Sequence, residues 1–330
     1  MKRQLTNSLR VLRRRILTPD VSETKLENRG FHVKNEESRA LLEEIGATFL
    51  RGYAFAAEAR TPAEAEERLE RVPERFRGFA YEGAGMGFAV LDGLPFGGGR
   101  KVGDFLAGRG DAHIYMVYVG IGWAMARLPR FRWPRSTALD PLLLWLAHDG
   151  YGFHQAYFHT DRYVNRQYRD PHFPWPAGED RHYANRAIDQ GIGRALWFIG
   201  GTDVERVTSM AGKFPRSRRA DLFSGIGLAA TYAGGGAEDE LVELRERAGP
   251  YRPQLAQGSA FAAEARIRAG LLVPHNEVAT RILCGTDPEQ AARICLDTRP
   301  SGPVRGGMPA YEMWRQRIAD QFVSLGGVRP

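Results

Sequence analysis

The sequence has few cysteines and no long apolar stretch. Its 330 residues include only Cys284 and Cys295, which excludes a disulfide framework and a paired-cysteine metal clamp. The longest apolar run, Ile114–Ala126, stops after 13 residues and contains two glycines, whereas a membrane-spanning helix needs about 20 apolar residues. The basic first residues lack the apolar block of a secretory signal. We therefore expect a cytoplasmic protein without a transmembrane segment.

The chain also lacks the short motifs of common cofactor sites. The glycine run Gly97–Gly99 is followed by Arg100 and not by the Lys-Ser or Lys-Thr of a phosphate loop. No GxGxxG motif follows a predicted strand, and no GxSxG nucleophile turn is present. We therefore expect no nucleotide cofactor, and we predict that the protein works without any cofactor.

Histidines cluster near the middle of the chain, at His148, His154, His159, His172 and His182. They form no HExxH motif and no pair four residues apart, so one helix would not present two of them to a metal ion. We expect no metal. A site of two histidines and one carboxylate, shared between a helix and a loop, remains an alternative.

Positive charge exceeds negative charge only slightly. The chain has 46 Lys and Arg residues against 39 Asp and Glu residues, a net charge of +7. Its two arginine clusters, Arg13–Arg15 and Arg216–Arg219, contain no aromatic residues. Because single-stranded nucleic acid is bound in basic grooves that also carry stacking rings, the composition does not indicate a nucleic-acid partner.

Glycine pairs recur at intervals of about 70 residues. They lie directly after Tyr81-Glu82, His148-Asp149 and Phe223-Ser224, at Gly83/Gly85, Gly150/Gly152 and Gly225/Gly227. A second kind of segment alternates with them and begins at Gly52, Gly120, Gly193 and Gly258; its first and last copies share the heptapeptide AFAAEAR. Each glycine inside a helix costs about 1 kcal/mol relative to alanine. Close approach of two helices is one explanation, and room for a ligand against the backbone is the other.

Helical periodicity fills most of the remaining sequence. Capping residues followed by an acid, as in Thr61-Pro62-Ala63-Glu64, mark helix starts that recur at Asp203 and Asp287. Only His113–Val119 is β-like. We predict an all-α fold of internally repeated helical hairpins, with two similar halves and about four paired-helix units.

The patterns divide the chain into five segments. These are a basic N-terminal segment (1–30), a first helical half (31–164), an irregular loop (165–184), a second helical half (185–300) and a C-terminal tail and helix (301–330). The loop is rich in proline and aromatic residues, which favours a lid or wall over a pocket.

The N-terminal segment carries an apolar stripe formed by Leu5, Leu9, Leu12 and Ile16 at helical spacing, with basic residues elsewhere. We expect this helix to dock on its own domain. Contact with an anionic membrane surface is the alternative.

Long blocks of the chain resemble a known family. RRRILTPDVSETKLENRGFHV, RVPERFRGFAYEGAGMGFAVLD, DGYGFHQAYF, NRAIDQGIGRALWFIGG and YAGGG are similar to the UnbL-type conserved proteins of bacterial enediyne biosynthetic gene clusters, encoded beside the iterative polyketide synthase. The resemblance implies a role in building or maturing the enediyne core from a polyene precursor, with the polyketide synthase or other pathway proteins as possible partners. It implies no catalytic residues.

Candidate site residues follow from residue chemistry near the repeats. The predicted catalytic residues are His154, Glu82, Asp149 and Asp189, since a carboxylate or imidazole beside an apolar ligand can move protons. The predicted substrate-binding residues are Tyr81, Tyr151, Gln155, Tyr157, Asn185, Arg186, Gln190, Arg194 and Trp197. Each has a structural alternative: His154 as a core histidine, Glu82 and Asp149 as helix-capping groups, and residues 185–194 as a buried ion-pair network.

Two functions remain open. The first is a cofactor-independent enzyme that acts on a long apolar polyene in a largely apolar helical pocket with acid and base residues. The second is a non-catalytic helical-repeat carrier or scaffold that shields the intermediate or organises pathway partners. An enzyme should bury its polar cluster in a closed apolar pocket, whereas a scaffold should expose an open groove.

Overall fold

The computed structural model describes residues 2–95, 98–176, 182–302 and 307–326. Within these ranges the regular structure is helical, without a β-strand. The α-helices are α1 (Lys2–Leu17), α2 (Leu26–Arg29), α3 (Glu36–Glu58), α4 (Pro62–Leu69), α5 (Glu74–Gly93), α6 (Lys101–Leu106), α7 (Ile114–Arg127), α8 (Leu144–Phe158), α9 (Ala184–Ile199), α10 (Val204–Gly212), α11 (Arg216–Ala233), α12 (Glu238–Arg247), α13 (Arg252–Arg268), α14 (Pro274–Leu283), α15 (Pro288–Asp297) and α16 (Ala310–Ser324). The predicted all-α fold is confirmed.

None of the helices in these ranges combines the length and apolar composition needed to cross a membrane. Short 3-10 turns at Val21–Thr24, Arg109–His113, Arg130–Arg132, Ser136–Ala138 and Gly249–Tyr251, and one π turn at Asp161–Asn165, connect the α-helices. Gly97 and residues 177–181 of the predicted loop lie outside the described residues.

In the described part of the chain, the long helices α3, α5, α7, α8, α9, α11 and α13 each pack against the next in chain order. Glycine allows the backbones to approach closely. A β-carbon on Gly150 would overlap the carbonyl oxygen of Val119 in α7, and one on Gly152 would overlap that of Ile188 in α9. The same overlap occurs at Gly120, Gly122, Gly191, Gly193, Gly225, Gly227 and Gly258. Close approach of neighbouring helices therefore explains the glycine pairs. The two kinds of repeated segment are alike in this respect, since both are helices that cross a neighbour at their glycines.

The first and last of these helices are tied to distant parts of the row. The backbone N–H of His32, just before α3, donates to the carbonyl oxygen of Ile199 at the end of α9 (3.0 Å). Arg266 in α13 donates to the carbonyl oxygen of Arg75 in α5 (3.1 Å). The row of helices is therefore curved, and it encloses an interior face.

The β-like interpretation of His113–Val119 was wrong, since Ile114 begins α7. The middle of this helix, Met116–Met125, is buried on all sides. A helix that is apolar all round lacks a polar face, so a short piece of it cannot be told from a strand by periodicity.

The predicted helix starts are confirmed. The Thr61 hydroxyl accepts the backbone N–H of Glu64 at the start of α4. Asp203 and Asp287 accept equivalent backbone N–H groups at the starts of α10 and α15. These side chains satisfy amides that the first turn of a helix leaves unpaired.

Helix α1 docks on the domain through its arginines, not through its apolar stripe. Arg13 donates to the carbonyl oxygen of Ala57 (2.6 Å), and Arg14 pairs with Glu58 (2.7 Å). Leu9, Leu12 and Ile16 are exposed. Docking was therefore predicted correctly, but with the wrong face of the helix.

The five predicted segments share one interior. A single cluster of buried apolar residues extends from Leu26 to Phe322 and includes both helical halves and α16. The described part of the irregular loop packs Phe173 and Trp175 into the same cluster. The loop and the C-terminal helix therefore complete the core.

Candidate functional site

An apolar chamber opens at the surface beside the segment that follows α1. Aromatic walls of this front chamber come from Phe49, Phe79, Trp123, Phe153, Tyr157 and Phe198. Half-buried Pro19 and the exposed residues Glu23 and Arg127 also line it and mark its opening. The chamber has about 700 Å³ free of protein atoms, counting this opening and the solvent in it.

Helical spacing explains why the lining residues face one space. Glu82 and Met86 are four residues apart on α5, Phe153 and Tyr157 on α8, and Arg194 and Phe198 on α9. Residues four apart lie on one face of a helix. Because the glycine crossings hold these helices close together, three such faces meet around one chamber.

Three charged side chains meet at the inner end of the front chamber. Arg194 forms an ion pair with Asp149, and its Nη2 atom lies 3.8 Å from Glu82 Oε1. Each of the three residues is at most 6% exposed. Asp149 also accepts a hydrogen bond from Gln190 (2.9 Å). Two carboxylates thus share one arginine, and Asp149 holds it more closely than Glu82 does.

The electrostatics follow from this unequal sharing. Burial raises the pKa of Glu82 to about 7, the charge of Arg194 opposes the rise, and the charge of Asp149 adds to it. Burial alone would lower the pKa of Arg194, but Asp149 and Glu82 outweigh burial and raise it. Near neutral pH, Glu82 therefore exists in both protonation states beside a permanent cation, and its carboxyl can donate or accept a proton.

His154 lines the same chamber as a neutral ring. Burial lowers its pKa to about 3, and the nearby charge of Arg127 contributes to the decrease. The ring lies edge-on to Trp123, with 5.4 Å between centroids, and 4.6 Å from the Phe158 ring. An imidazole that stays neutral throughout the physiological range cannot act as a cationic acid. His154 is part of the chamber wall.

A second apolar chamber lies beyond the charged residues. The walls of this rear chamber include Tyr115, Met116, Val119, Phe261, Tyr311 and Trp314. It has about 500 Å³ free of protein atoms on the same measure. Arg194 lines both chambers, whereas Glu82 lines only the front chamber and Asp149 only the rear one, so the charged cluster stands between them. Buried Glu264 also lines the rear chamber, and burial raises its pKa.

In most of the central helices, a buried polar residue directly precedes the first glycine that contacts a neighbouring helix. These residues are Glu82, Asp149, Gln190, Ser224 and Gln257. Neighbouring members bond to each other: Gln190 donates to Asp149, and Ser224 donates to Gln257 (2.7 Å). The glycine crossings therefore align a polar row through the interior.

Several predicted site residues come together in the front chamber or at its inner end. They are Glu82, Asp149, His154, Tyr157, Gln190 and Arg194. Asp189 does not join them: Arg218 holds both of its oxygens, at 2.6 and 3.0 Å. Asp189 lines neither chamber, because the residue next to Gln190 on α9 faces a different direction. Its predicted catalytic role is replaced by a structural ion pair.

Three predicted substrate-binding residues are structural. Tyr81 donates to Glu70 (2.6 Å), Arg186 pairs with Asp221 (3.0 Å), and the Trp197 indole donates to the carbonyl oxygen of Gly234 (2.9 Å). None of the three lines either chamber. The ion-pair alternative for this part of α9 therefore holds for Arg186 and Asp189.

Tyr151, Gln155 and Asn185 line a separate polar cavity. The irregular loop supplies part of its wall, including Arg169 and Phe173. This cavity lies on the face of α8 away from His154 and Tyr157. The described part of the loop thus walls a pocket, as predicted, but this pocket is not the apolar chamber.

A family model matches residues 8–322 and describes a protein of unknown function, DUF1702. The chain belongs to the DUF1702 family. No curated protein and no solved structure matches it. The family description states no activity.

A metal site finds no support in the described residues of this DUF1702 protein. Among them, no three His, Cys, Asp or Glu side chains form a group that could hold a metal ion. His148 is instead buried, with its Nε2 atom 2.7 Å from the carbonyl oxygen of Trp175, and burial lowers its pKa to about 4. The His154 and His159 rings lie 6.5 Å apart, but the clustered histidines do not form a metal-binding group within the described residues.

The sequence did not indicate most of the chamber walls in this DUF1702 protein, including Trp123, Phe79 and the rear chamber apart from Asp149 and Arg194. Ser224 was noted only as part of the repeat, and Gln257 was not noted at all. One signal in the sequence could have identified them: a polar residue recurs directly before the first glycine of several repeated segments. Tyr311 gave no such signal, since it reaches Gln190 from α16 at the end of the chain (3.0 Å).

Proposed function

We propose that this protein is a cofactor-independent enzyme of enediyne biosynthesis that acts on a long apolar polyene. The observation that carries the proposal is the Glu82 carboxyl, which has a pKa of about 7 and lies at the inner end of an aromatic chamber. A buried carboxylic acid with a pKa near neutrality is suited to general acid and base catalysis. The link to enediynes rests on the sequence blocks that resemble the UnbL-type proteins.

Proton transfer is the chemistry that these residues support. The neutral Glu82 carboxyl gives its proton to one carbon of a double bond, and the π electrons of that bond form the new C–H bond. The neighbouring carbon becomes a cation. Aromatic faces attract cations, and Trp123, Phe79 and Phe153 line the same chamber as Glu82. The Glu82 carboxylate then removes a proton from an adjacent carbon, which leaves a shifted double bond and restores the acid. No oxidant or reductant is required.

Arg194 assists the step in which Glu82 becomes an anion. Its guanidinium is 3.8 Å from the Glu82 carboxylate and is fixed by Asp149 on the opposite side. A charge placed in advance stabilises a developing anion without rearranging when the proton moves. Arg194 also lies 5.2 Å from the Phe153 ring, so the aromatic wall restrains it further.

The two chambers support a long substrate. Arg194 separates them, and aromatic and aliphatic side chains line both. A chain with one reacting double bond at Glu82 could extend into both. Enclosure of the polar cluster favours an enzyme over an open scaffold, because a scaffold requires its binding face at the surface.

Glu82→Gln tests the proposal, since it keeps the side-chain size and removes the exchangeable acid. The protein is co-expressed with the iterative polyketide synthase, and products are separated and weighed by mass spectrometry. We expect product formation to fall about 100-fold or more, as for loss of a general acid. In deuterated water the wild-type product should gain deuterium at carbon.

Binding distinguishes the enzyme from a carrier. Parinaric acid, a fluorescent conjugated polyene, should bind wild-type protein and Glu82→Gln with similar affinity, because the chamber walls are unchanged. Unaltered product formation by Glu82→Gln, with binding retained, would favour the carrier function over the enzyme. Asp239→Asn, which changes an exposed acid on α12, is the control and should behave as wild type in both assays.

A further inference from the structure

Helix α1 presents its apolar face to solvent. Leu9, Leu12 and Ile16 are 62%, 51% and 71% exposed. Their spacing of three and four residues places them on one side of the helix. Arg13, on the adjoining side of the helix, and Arg14, on the opposite side, hold it to the domain. The helix is therefore amphipathic, but its orientation is the reverse of a helix that contributes to a protein core.

This exposure is concentrated in one part of the chain. Of the twelve large apolar side chains exposed in the described residues, five lie between Leu9 and Val21. Single exposed apolar residues are normal on a protein surface. A contiguous exposed stripe marks a contact with another apolar phase.

The charge of α1 identifies that phase. The helix contains six basic residues and no acidic residue. Arg10, Arg13 and Arg14 bind acidic side chains or carbonyl oxygens of the domain, whereas Arg15 lies beside the stripe and is exposed. An apolar stripe bordered by positive charge fits a membrane surface that contains anionic lipids. A second copy of α1 is a poor match, because its equal positive charge would face the same charge across the contact.

We propose that α1 binds the surface of an anionic lipid bilayer through Leu9, Leu12 and Ile16. The helix would lie in the plane of the interface, with the stripe among the lipid chains and Arg15 among the headgroups. This contact does not depend on the proposed catalytic role of Glu82.

The position of α1 gives the contact a consequence for the front chamber. Pro19 lines the opening of that chamber and follows Ile16 by three residues, which a chain can span over at most about 11 Å. Exposed Val21 continues the apolar surface in the same segment. A lipid-bound α1 therefore holds the opening close to the bilayer, where an apolar polyene would be dissolved. This delivery role rests on the proposed function, whereas lipid binding does not.

Vesicle sedimentation tests the lipid contact. Full-length protein is mixed with phosphatidylcholine vesicles that contain or lack phosphatidylglycerol, at low and at high salt. We expect binding to the anionic vesicles only, and weaker binding at high salt because salt screens the arginines. Leu12→Gln should weaken binding about tenfold, and the triple variant Leu9→Gln, Leu12→Gln, Ile16→Gln should abolish it.

The matched control is Leu296→Gln, which changes an equally exposed leucine (52%) on α15 and should leave vesicle binding unchanged. Leu9, Leu12, Ile16 and Leu296 are all exposed, so the variants should fold as wild type, which circular dichroism checks. Absence of vesicle binding would overturn the proposal, as would equal binding by the triple variant. A concentration-dependent dimer that Leu12→Gln disrupts would overturn it in favour of a second copy. Loss of turnover in Glu82→Gln has no bearing on these results.

Discussion

The raised pKa of Glu82 predicts a stability difference that can be measured without a substrate. The ordinary carboxyl pKa of 4.5 becomes about 7 in the folded chain, so folding favours the protonated form. The stabilisation is complete below the unfolded value and is lost as pH rises through the folded value. Between about pH 5 and about pH 8 the loss amounts to about 2.5 kcal/mol.

Glu82→Gln removes this loss, because glutamine stays neutral at every pH. For a chain of 330 residues the entropy of unfolding is about 0.7 kcal/mol per kelvin. The melting temperature of the variant, minus that of the wild type, should therefore rise by about 3–4 °C between about pH 5 and about pH 8. At high pH, Glu82→Gln would therefore be more stable than the wild type although it lacks the proposed acid. This is expected where burial of a catalytic group costs stability.

Differential scanning calorimetry at a series of pH values measures this difference, and Glu312→Gln is the control of opposite sign. Burial works to raise the pKa of Glu312, but Arg315 and Arg186 outweigh it and lower the pKa. The ionised Glu312 therefore stabilises the fold above its unfolded pKa, and the stabilisation disappears as pH falls. Glu312→Gln should destabilise the protein most at neutral pH. A melting difference for Glu82→Gln that stays constant with pH would refute the argument.

Two further predictions concern the packing and the chamber wall. Gly150→Ala should destabilise the protein by about 3 kcal/mol or more, because the added β-carbon overlaps the Val119 carbonyl. Gly103→Ala is the control in α6, where nothing lies within 4 Å of the added carbon, and it should stabilise the protein by about 0.5–1 kcal/mol. Chemical denaturation measures both variants, and equal effects would contradict close packing at Gly150. His154→Gln should leave the pH dependence of product formation unchanged between about pH 5 and about pH 8, because a pKa lowered to about 3 keeps the ring neutral throughout. A shifted pH profile would show that His154 titrates in the reaction.

The fold class could be predicted because its signals are local. Helical spacing of apolar residues, capping groups such as Thr61 and Asp203, and recurring glycines each act within a few residues of the chain. The β-like stretch at His113–Val119 failed for a related reason, since a fully buried helix loses the polar face that would identify it.

The candidate site could be predicted only in part. Glu82 and Asp149 were found because each stands beside a repeated glycine, and Arg194 because polar residues recur along α9. Asp189 was assigned to the same site, yet its neighbour Gln190 reaches the cluster and Asp189 turns toward Arg218. One position along a helix changes the direction of a side chain by about 100°, and the sequence does not state which direction is the interior.

The repeated heptapeptide AFAAEAR shows what the sequence determined and what it left to the tertiary structure. Both copies end helices of the central row, and this placement follows from local periodicity. In the first copy Glu58 pairs with Arg14 near the surface, and Arg60 is exposed. In the second copy Glu264 lines the rear chamber, and Arg266 is fully buried against backbone carbonyl groups. Identical residues thus differ in charge environment and role because helices distant in the chain cover one copy and leave the other open to water.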